Sequence, residues 1–324
     1  MNARLEAYAP ILIVAALLAL VPLATSANTV LNALVLALTM ALAGQSWNLL
    51  GGYGGQISFG HAAFFGAGAY GAALLQARFG WNAYAAFAAA VCIGATLGAA
   101  IGYLSFRSGL RGSYFALVTL AFAEVLRILA NASAFTGGAA GVLLALDVGP
   151  QNFQFASRGS FYVVALALVT IVLLATRAME RSRFGAYLVA IRENEDAAKS
   201  LGVDTLRTKV QAITGSAAMA AAAGAFYTQY FLFVDADIAF GSWISIEALL
   251  VPIIGGLGTV FGPLIGALAL QGLAELTKAI AGRIPGADVA LYGALLVVAV
   301  ALAPDGLQGL AARLRRGLSS RRAA

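Results

Sequence analysis

One cysteine, one histidine and three lysines in 324 residues leave little from which to build a reactive centre. Cys92 alone excludes an internal disulfide. A single thiol and a single imidazole argue against a protein-built metal site, and no cofactor motif is present. No segment fits G-x-x-x-x-G-K-[ST], and Lys199, Lys209 and Lys278 all lack that context, so the chain has no P-loop for ATP. Neither HExxH nor a Ser/His/acid constellation appears, which removes support for an intramembrane hydrolase. Charge is scarce too, at 10% of residues.

What fills the chain is apolar surface: 61% of residues are hydrophobic and the mean hydropathy is +0.88. No soluble domain of this length hides that much, so the solvent is largely lipid. Lipid forces backbone hydrogen bonds inward, and long apolar runs without strand alternation select helices. The expected fold is therefore all-α, a polytopic helical membrane protein forming one transmembrane domain over 1–324. The net charge of +6 is explained by basic residues at membrane flanks rather than by nucleic acid.

Runs of about 20 apolar residues mark the spans. They fall at Ala9–Ala24, Thr29–Leu49, His61–Ala77, Tyr84–Phe106, Tyr114–Leu129, Ser160–Thr176, Val210–Phe231, Val260–Ile280 and Val289–Ala303. Trp243–Ile254 is too short to cross alone, and with it the count is about ten. The N-terminus also has a signal-peptide look, with Arg4, an apolar run and small residues Ala24-Thr25-Ser26-Ala27. The many later spans, and Glu6 in the n-region, favour a retained first helix. With both termini cytoplasmic, inside segments hold 15 Lys/Arg, including seven in 177–209 and five in 313–322. Outside segments hold Arg78, Arg158 and Arg283. That asymmetry fits the positive-inside rule and requires Trp243–Ile280 to enter and return, reversing near Gly255–Gly258.

Glycine is concentrated where helices should not want it. Residues 51–71 read GGYGGQISFGHAAFFGAGAYG. Gly51, Gly52, Gly54 and Gly55 form one expected helix break; Gly255, Gly256 and Gly258 form a second. Each cluster is followed by Phe-Gly, at Phe59-Gly60 and Phe261-Gly262. Internal duplication and chance similarity both account for the echo. Gly94-x3-Gly98-x3-Gly102 instead puts three glycines on one helix face for close packing in lipid.

The polar segment 177–210 separates the two halves. Asn194 caps a short helix of about two turns, Asp196 lies in its first turn, and Gly202 ends it. On residues alone it is either a solvated connector or a coupling element. Asp196-Ala197-Ala198-Lys199-Ser200-Leu201-Gly202 resembles the EAA-x-x-x-G coupling loop of ABC importer permeases, with Asp for Glu. The downstream Ile-x-Leu-Pro is absent, with only Ile213 nearby. IRENEDAAKSLGVDTLRTK, GGYGGQISFGHAAFFGAGAY, LRGSYFALVTLAFAEVLRIL, TGGAAG and SIEALLVPIIGGLGTVFGPLIGA are similar, in order, to permeases of branched-chain amino acid importers. The chain looks like the longer of that system's two permeases. After Thr136-Gly137-Gly138 the family commonly has Asp or Asn before the next Gly, where this chain has Ala139-Ala140-Gly141.

The resemblance implies two partner ATPases, a second homologous permease and an extracytoplasmic binding protein, in the cytoplasmic membrane of a prokaryote. It implies that Arg192, Glu193, Asn194, Glu195, Asp196, Ala197, Ala198, Lys199 and Gly202 serve ATPase coupling. The charge count makes residues 305–324 a basic cytoplasmic tail. Polarity beside broken backbone marks Asn48, Gln56, Ser58 and His61 as substrate-pathway candidates, with Thr136 near the outer mouth. His61 has no carboxylate nearby in sequence and reads as a packing or hydrogen-bonding residue before a proton shuttle. Glu124/Arg127 and Glu275/Lys278 are i, i+3 pairs near outer helix ends, and Glu247 reads as a cap of the short helix. The implied activity is import of branched-chain or related amino acids by alternating access. A permease for urea or short amides, a stand-alone transporter or channel, and an assembly subunit are the alternatives.

Overall fold

The computed structural model describes residues 2–25, 27–282, 284, 286–302 and 306–310. Most of the expected tail, including residues 311–324, lies outside the described residues. The first apolar run forms α1 (Asn2–Ala19) and α2 (Val21–Ala24), bent just before Pro22, whose ring disturbs the preceding turn. Next come α3 (Asn28–Trp47), α4 (His61–Phe79), α5 (Ala83–Arg107) and α6 (Gly112–Ala132). A two-residue strand β1 (Val142–Leu143) precedes α7 (Arg158–Glu180), α8 (Arg183–Glu193) and α9 (Glu195–Ser200). The chain continues through α10 (Thr205–Phe231), β2 (Phe233–Val234), α11 (Ala236–Ala239), α12 (Ser242–Gly255), α13 (Gly262–Ala281) and α14 (Ala287–Leu302). β1 and β2 pair antiparallel, Val142 opposite Val234.

Seven helices among the described residues are long and apolar enough to cross a membrane, against about ten expected. The difference is α4, α10 and α14. The first two are rich in Gly, Ala and polar side chains and lie in the interior, so they need little lipid-facing hydrophobicity. α14 contributes only the shorter apolar stretch Val289–Val298. Trp243–Ile254 needs correction: α11 precedes α12, and together Ala236–Gly255 make a stretch of 20 residues, long enough to cross. The reversal falls where expected. α12 ends at Gly255, Gly256 and Gly258 take φ of 138° and 67°, and α13 returns alongside.

The centre is built by α4, α5 and α10 at glycine-limited distance. Gly94, Gly98 and Gly102 of α5 face Ala221, Ala217 and Ile213 of α10. A Cβ at Gly68 of α4 would lie 2.0 Å from the Ala221 carbonyl oxygen, and one at Gly224 of α10 would lie 1.9 Å from that of Phe65. Backbones meeting this closely gain dispersion contact that larger side chains would forbid in lipid. Around this unit α3 packs on α7, α10, α12 and α13, while α6 leaves Leu117, Val125, Ile128 and Leu129 exposed, as a lipid-facing stripe requires.

Both described chain ends lie at the end of the bundle that carries α8 and α9. Arg177 near the end of α7 donates to the Ala7 carbonyl, and Gln308 shares a cavity of about 290 Å³ with Arg177, Glu180 and Gly258. At the opposite end, Arg127 of α6 pairs with Glu124 and with Asp237 of α11. That acid–base pair therefore ties α6 to α11, whereas Glu275 and Lys278 pair on the surface of α13.

Candidate functional site

α3 does not stop at the first glycine cluster. It widens into a π-helical turn over Asn48–Tyr53, a form that recurs at functional positions. Gly51 and Gly52 lie inside this turn, and the break follows at Gly54 and Gly55, where Gly55 takes φ 66°. The reason is close approach. A Cβ on Gly51 would lie 2.4 Å from the Trp47 ring, and one on Gly52 would lie 2.8 Å from the Gly258 nitrogen. The two glycine clusters, some 200 residues apart, thus touch.

Asn48 holds them together. It is fully buried; its Oδ1 accepts from the Gly258 N–H at 2.8 Å and its Nδ2 donates to the Thr259 carbonyl at 2.9 Å. Arg192, near the end of α8, donates from Nη1 to the Gly52 carbonyl at 3.0 Å, and the stem of Arg192 packs on Gly55. Its Nε and Nη2 go to Glu193. On the other side of the π-turn, the Tyr53 hydroxyl donates to Glu180, which Arg177 also holds.

From Tyr53 the chain runs without helix to Gly60, and α4 starts at His61. Gln56 donates to the Gly54 carbonyl, Trp47 Nε1 donates to the Ser58 carbonyl at 2.7 Å, and Ser58 Oγ accepts from Gly60 N–H. The N-terminus of α4 is capped from another helix: Ala62 N–H donates to Ser245 Oγ of α12 at 2.8 Å. Ser216 Oγ donates to the Ser46 carbonyl, so at 2.9 Å it accepts from His61 Nε2–H, and this fixes the tautomer. His61 Nδ1 is buried and has no partner among the described residues. The structure therefore gathers Gln56, Ser58 and His61 around one break, while Asn48 faces the second glycine cluster. Thr136 sits at the opposite end of the bundle, its hydroxyl turned to the Ala130 and Ser133 carbonyls.

α9 forms as its residues dictate. Asn194 Oδ1 accepts from Ala197 N–H, Glu195 and Asp196 occupy the first turn, and Gly202 takes φ 87°. The segment 177–210 is largely helical: its start completes α7, α8 fills 183–193, and its last residues begin α10. The α9 carboxylates point two ways. Glu195 turns inward to Lys209 of α10 at 2.6 Å and to Arg111, beside the start of α6, at 3.3 Å. Lys209 is nearly inaccessible and lies 4.8 Å over the Phe106 ring. Asp196 bonds Arg111 at the surface, and that hydrogen bond holds its carboxyl below the usual range. Glu193, Lys199, Ser200, Leu201 and Gly202 face outward, with Leu201 86% exposed.

Sequence reading missed Arg111, Lys209 and Ser245 as members of this constellation. Their partners lie 84, 14 and 183 residues away, beyond any local pattern. Glu247 needs correction as a cap: α12 begins at Ser242, which puts Glu247 in the second turn. There it lines a cavity of about 360 Å³ with Trp243, Leu250, Lys278 and Tyr292.

The family described as branched-chain amino acid transport system / permease component matches residues 29–300. The high-affinity branched-chain amino acid transport system permease protein LivM of Salmonella typhimurium is 30% identical over 288 residues, 82% of this chain and 66% of that protein. LivM of Escherichia coli is 30% identical over 310 residues, 88% of this chain and 71% of its own length. The chain thus spans about two thirds of the length of these two relatives. The permease protein LivH of Escherichia coli is 26% identical over 293 residues, 86% of this chain and 94% of that protein. No solved structure matches the chain.

Proposed function

Because the chain belongs to the branched-chain amino acid transport permease family, we propose that it is a permease subunit of an ATP-binding-cassette importer and carries branched-chain or related amino acids across the cytoplasmic membrane. The observation that carries the reading is the match across residues 29–300, which takes in the α8–α9 segment together with both glycine clusters. Having no P-loop, the chain takes its energy from two partner ATPases that seat on the outward side of α9. Leu201 supports this: an apolar side chain left 86% exposed between Lys199 and Gly202 is suited to burial in a partner's groove. Both termini would then lie in the cytoplasm beside the ATPases. An extracytoplasmic binding protein delivers substrate to the opposite end, near the β1–β2 ribbon.

Likeness to two differently named permeases of one transport system supports pairing with a second, homologous permease. Higher identity to LivM than to LivH supports assignment to the longer of the pair. The short cap of Glu195 and Lys209 on α10 supplies the route inward: a pushed α9 tilts α10, and with it the glycine-packed centre.

The test is co-purification of ATPases with the detergent-solubilised chain, followed by Leu201→Glu. The variant is expected to release the ATPases and abolish uptake at normal protein levels. Intact uptake with Leu201→Glu and with residues 193–199 replaced by a Gly/Ser linker would overturn the reading in favour of a stand-alone transporter.

A further inference from the structure

Arg192 and Asn48 form two consecutive side-chain hydrogen-bonded links between packed elements. Arg192 belongs to α8 and reaches the Gly52 carbonyl in the π-turn; Asn48, one turn back, reaches Gly258 and Thr259 in the α12–α13 turn. At the joint itself Gly52 and Gly258 meet backbone to backbone. Removing these two side chains would take away every side-chain hydrogen bond joining α8 to the π-turn and the π-turn to the α12–α13 turn among the described residues. Behind the α12–α13 turn the cavity of about 290 Å³, lined by Arg177, Glu180, Thr259, Val260 and Gln308, gives the turn room to shift.

We infer that Arg192 and Asn48 are positioning residues that make the two glycine turns move as one with the α8–α9 segment, converting a push on α9 into a coordinated displacement of α3, α12 and α13. The inference rests on the proposed coupling role of α9. It also reassigns both residues: Arg192 points into the permease rather than toward an ATPase, and Asn48 clamps backbone rather than facing a passing substrate. A π-turn suits the task, because its wide hydrogen-bond pattern leaves a helix locally easy to remodel. A glycine turn with two positive-φ residues adapts similarly.

The experiment uses the complete transporter, purified with its ATPases, second permease and binding protein and reconstituted in vesicles. Substrate uptake and ATP hydrolysis are measured on the same preparation. Arg192→Ala, at a partly exposed position, is expected to lower uptake about tenfold, the loss of one charge-assisted hydrogen bond from a transmission path. ATP hydrolysis should stay within about twofold, so that ATP consumed per substrate rises. Arg192→Lys, which keeps a donor on a flexible stem, should recover most of the uptake. Asn48→Ala should uncouple in the same way, and the double variant should be no worse than the poorer single one, as for two links in series. Parallel loss of uptake and hydrolysis, or no loss of uptake, would overturn the clasp. A wild-type preparation with no ATPase bound would instead remove the importer reading on which it rests.

Discussion

Glu195 and Lys209 meet at 2.6 Å with side-chain exposures of only 14% and 4%, a charge pair tucked under α9 against the root of α10. Such a pair adds little over an apolar equivalent, and without Lys209 the Glu195 carboxylate keeps only the half-exposed Arg111 as a charged partner. Lys209→Met should therefore lower stability by about 1.5–3 kcal/mol, the loss of one charge-assisted hydrogen bond. Adding Glu195→Gln should recover a large part of that loss. Thermal unfolding in detergent, followed by tryptophan fluorescence, reads both; equal melting temperatures for wild type and Lys209→Met would refute the pairing.

Ser245 supplies the cap that α4 cannot find in its own sequence, where Gly60 precedes the helix and offers no side chain. Ser245→Ala leaves the Ala62 N–H buried without an acceptor, at a cost of about 1–3 kcal/mol. Ser245→Thr keeps the hydroxyl and should lose much less. The comparison of the two variants by thermal melting separates the cap from a simple packing change.

Gly68 and Gly224 tolerate no side chain. Gly224→Ala places a methyl group within contact of the Phe65 carbonyl, and Gly68→Ala does the same at Ala221. Each is expected to cost about 1–3 kcal/mol by overpacking. Gly272→Ala, where nothing lies within 4 Å of the added carbon, is the control and should fold as wild type. Yield of monodisperse protein and melting temperature measure the difference.

Asp196 sets an acid limit on α9. Its hydrogen bond to Arg111 lowers its pKa in the folded state below the ordinary 3.8. A depressed carboxyl contributes stability that is complete above the ordinary value and disappears as pH falls through the folded one. Attachment of α9 should therefore be flat from about pH 7 to 5 and loosen only below about 4. A spin label at Lys199→Cys, in a Cys92→Ser background, should report mobility rising in that acid range. With Asp196→Asn added, the acid-dependent rise should shrink.

Much of this architecture is legible in the amino-acid sequence. The helix starts and stops follow apolar period and local caps: Asn194 and Gly202 frame α9, and Gly256 and Gly258 turn the chain between α12 and α13. The positions of glycine were legible too, but not their use. Gly51 and Gly52 carry no mark to separate a break from a close approach, because that depends on Trp47 folding back and on Gly258 arriving from the far half of the chain. Asn48 looked like a polar lining residue for the same reason, since its partners lie 210 and 211 residues downstream. Glu193 and Glu195 look alike in a stretch with three acids in four residues; the positions of Lys209 and Arg111 decide which one is drawn inward.

The glycine contacts at the centre also fix what can bend. With α5 pressed against α10 at Gly94, Gly98 and Gly102, and α4 against α10 at Gly68 and Gly224, these three helices are locked at close backbone approach along those positions. They will travel as a block, and flexing will be confined to their junctions with α3, α12 and α13. Probes at exposed Ile93 of α5 and Gln211 of α10 should thus keep one separation throughout a transport cycle. That pair would serve as an internal ruler against which every other distance in the molecule can be read.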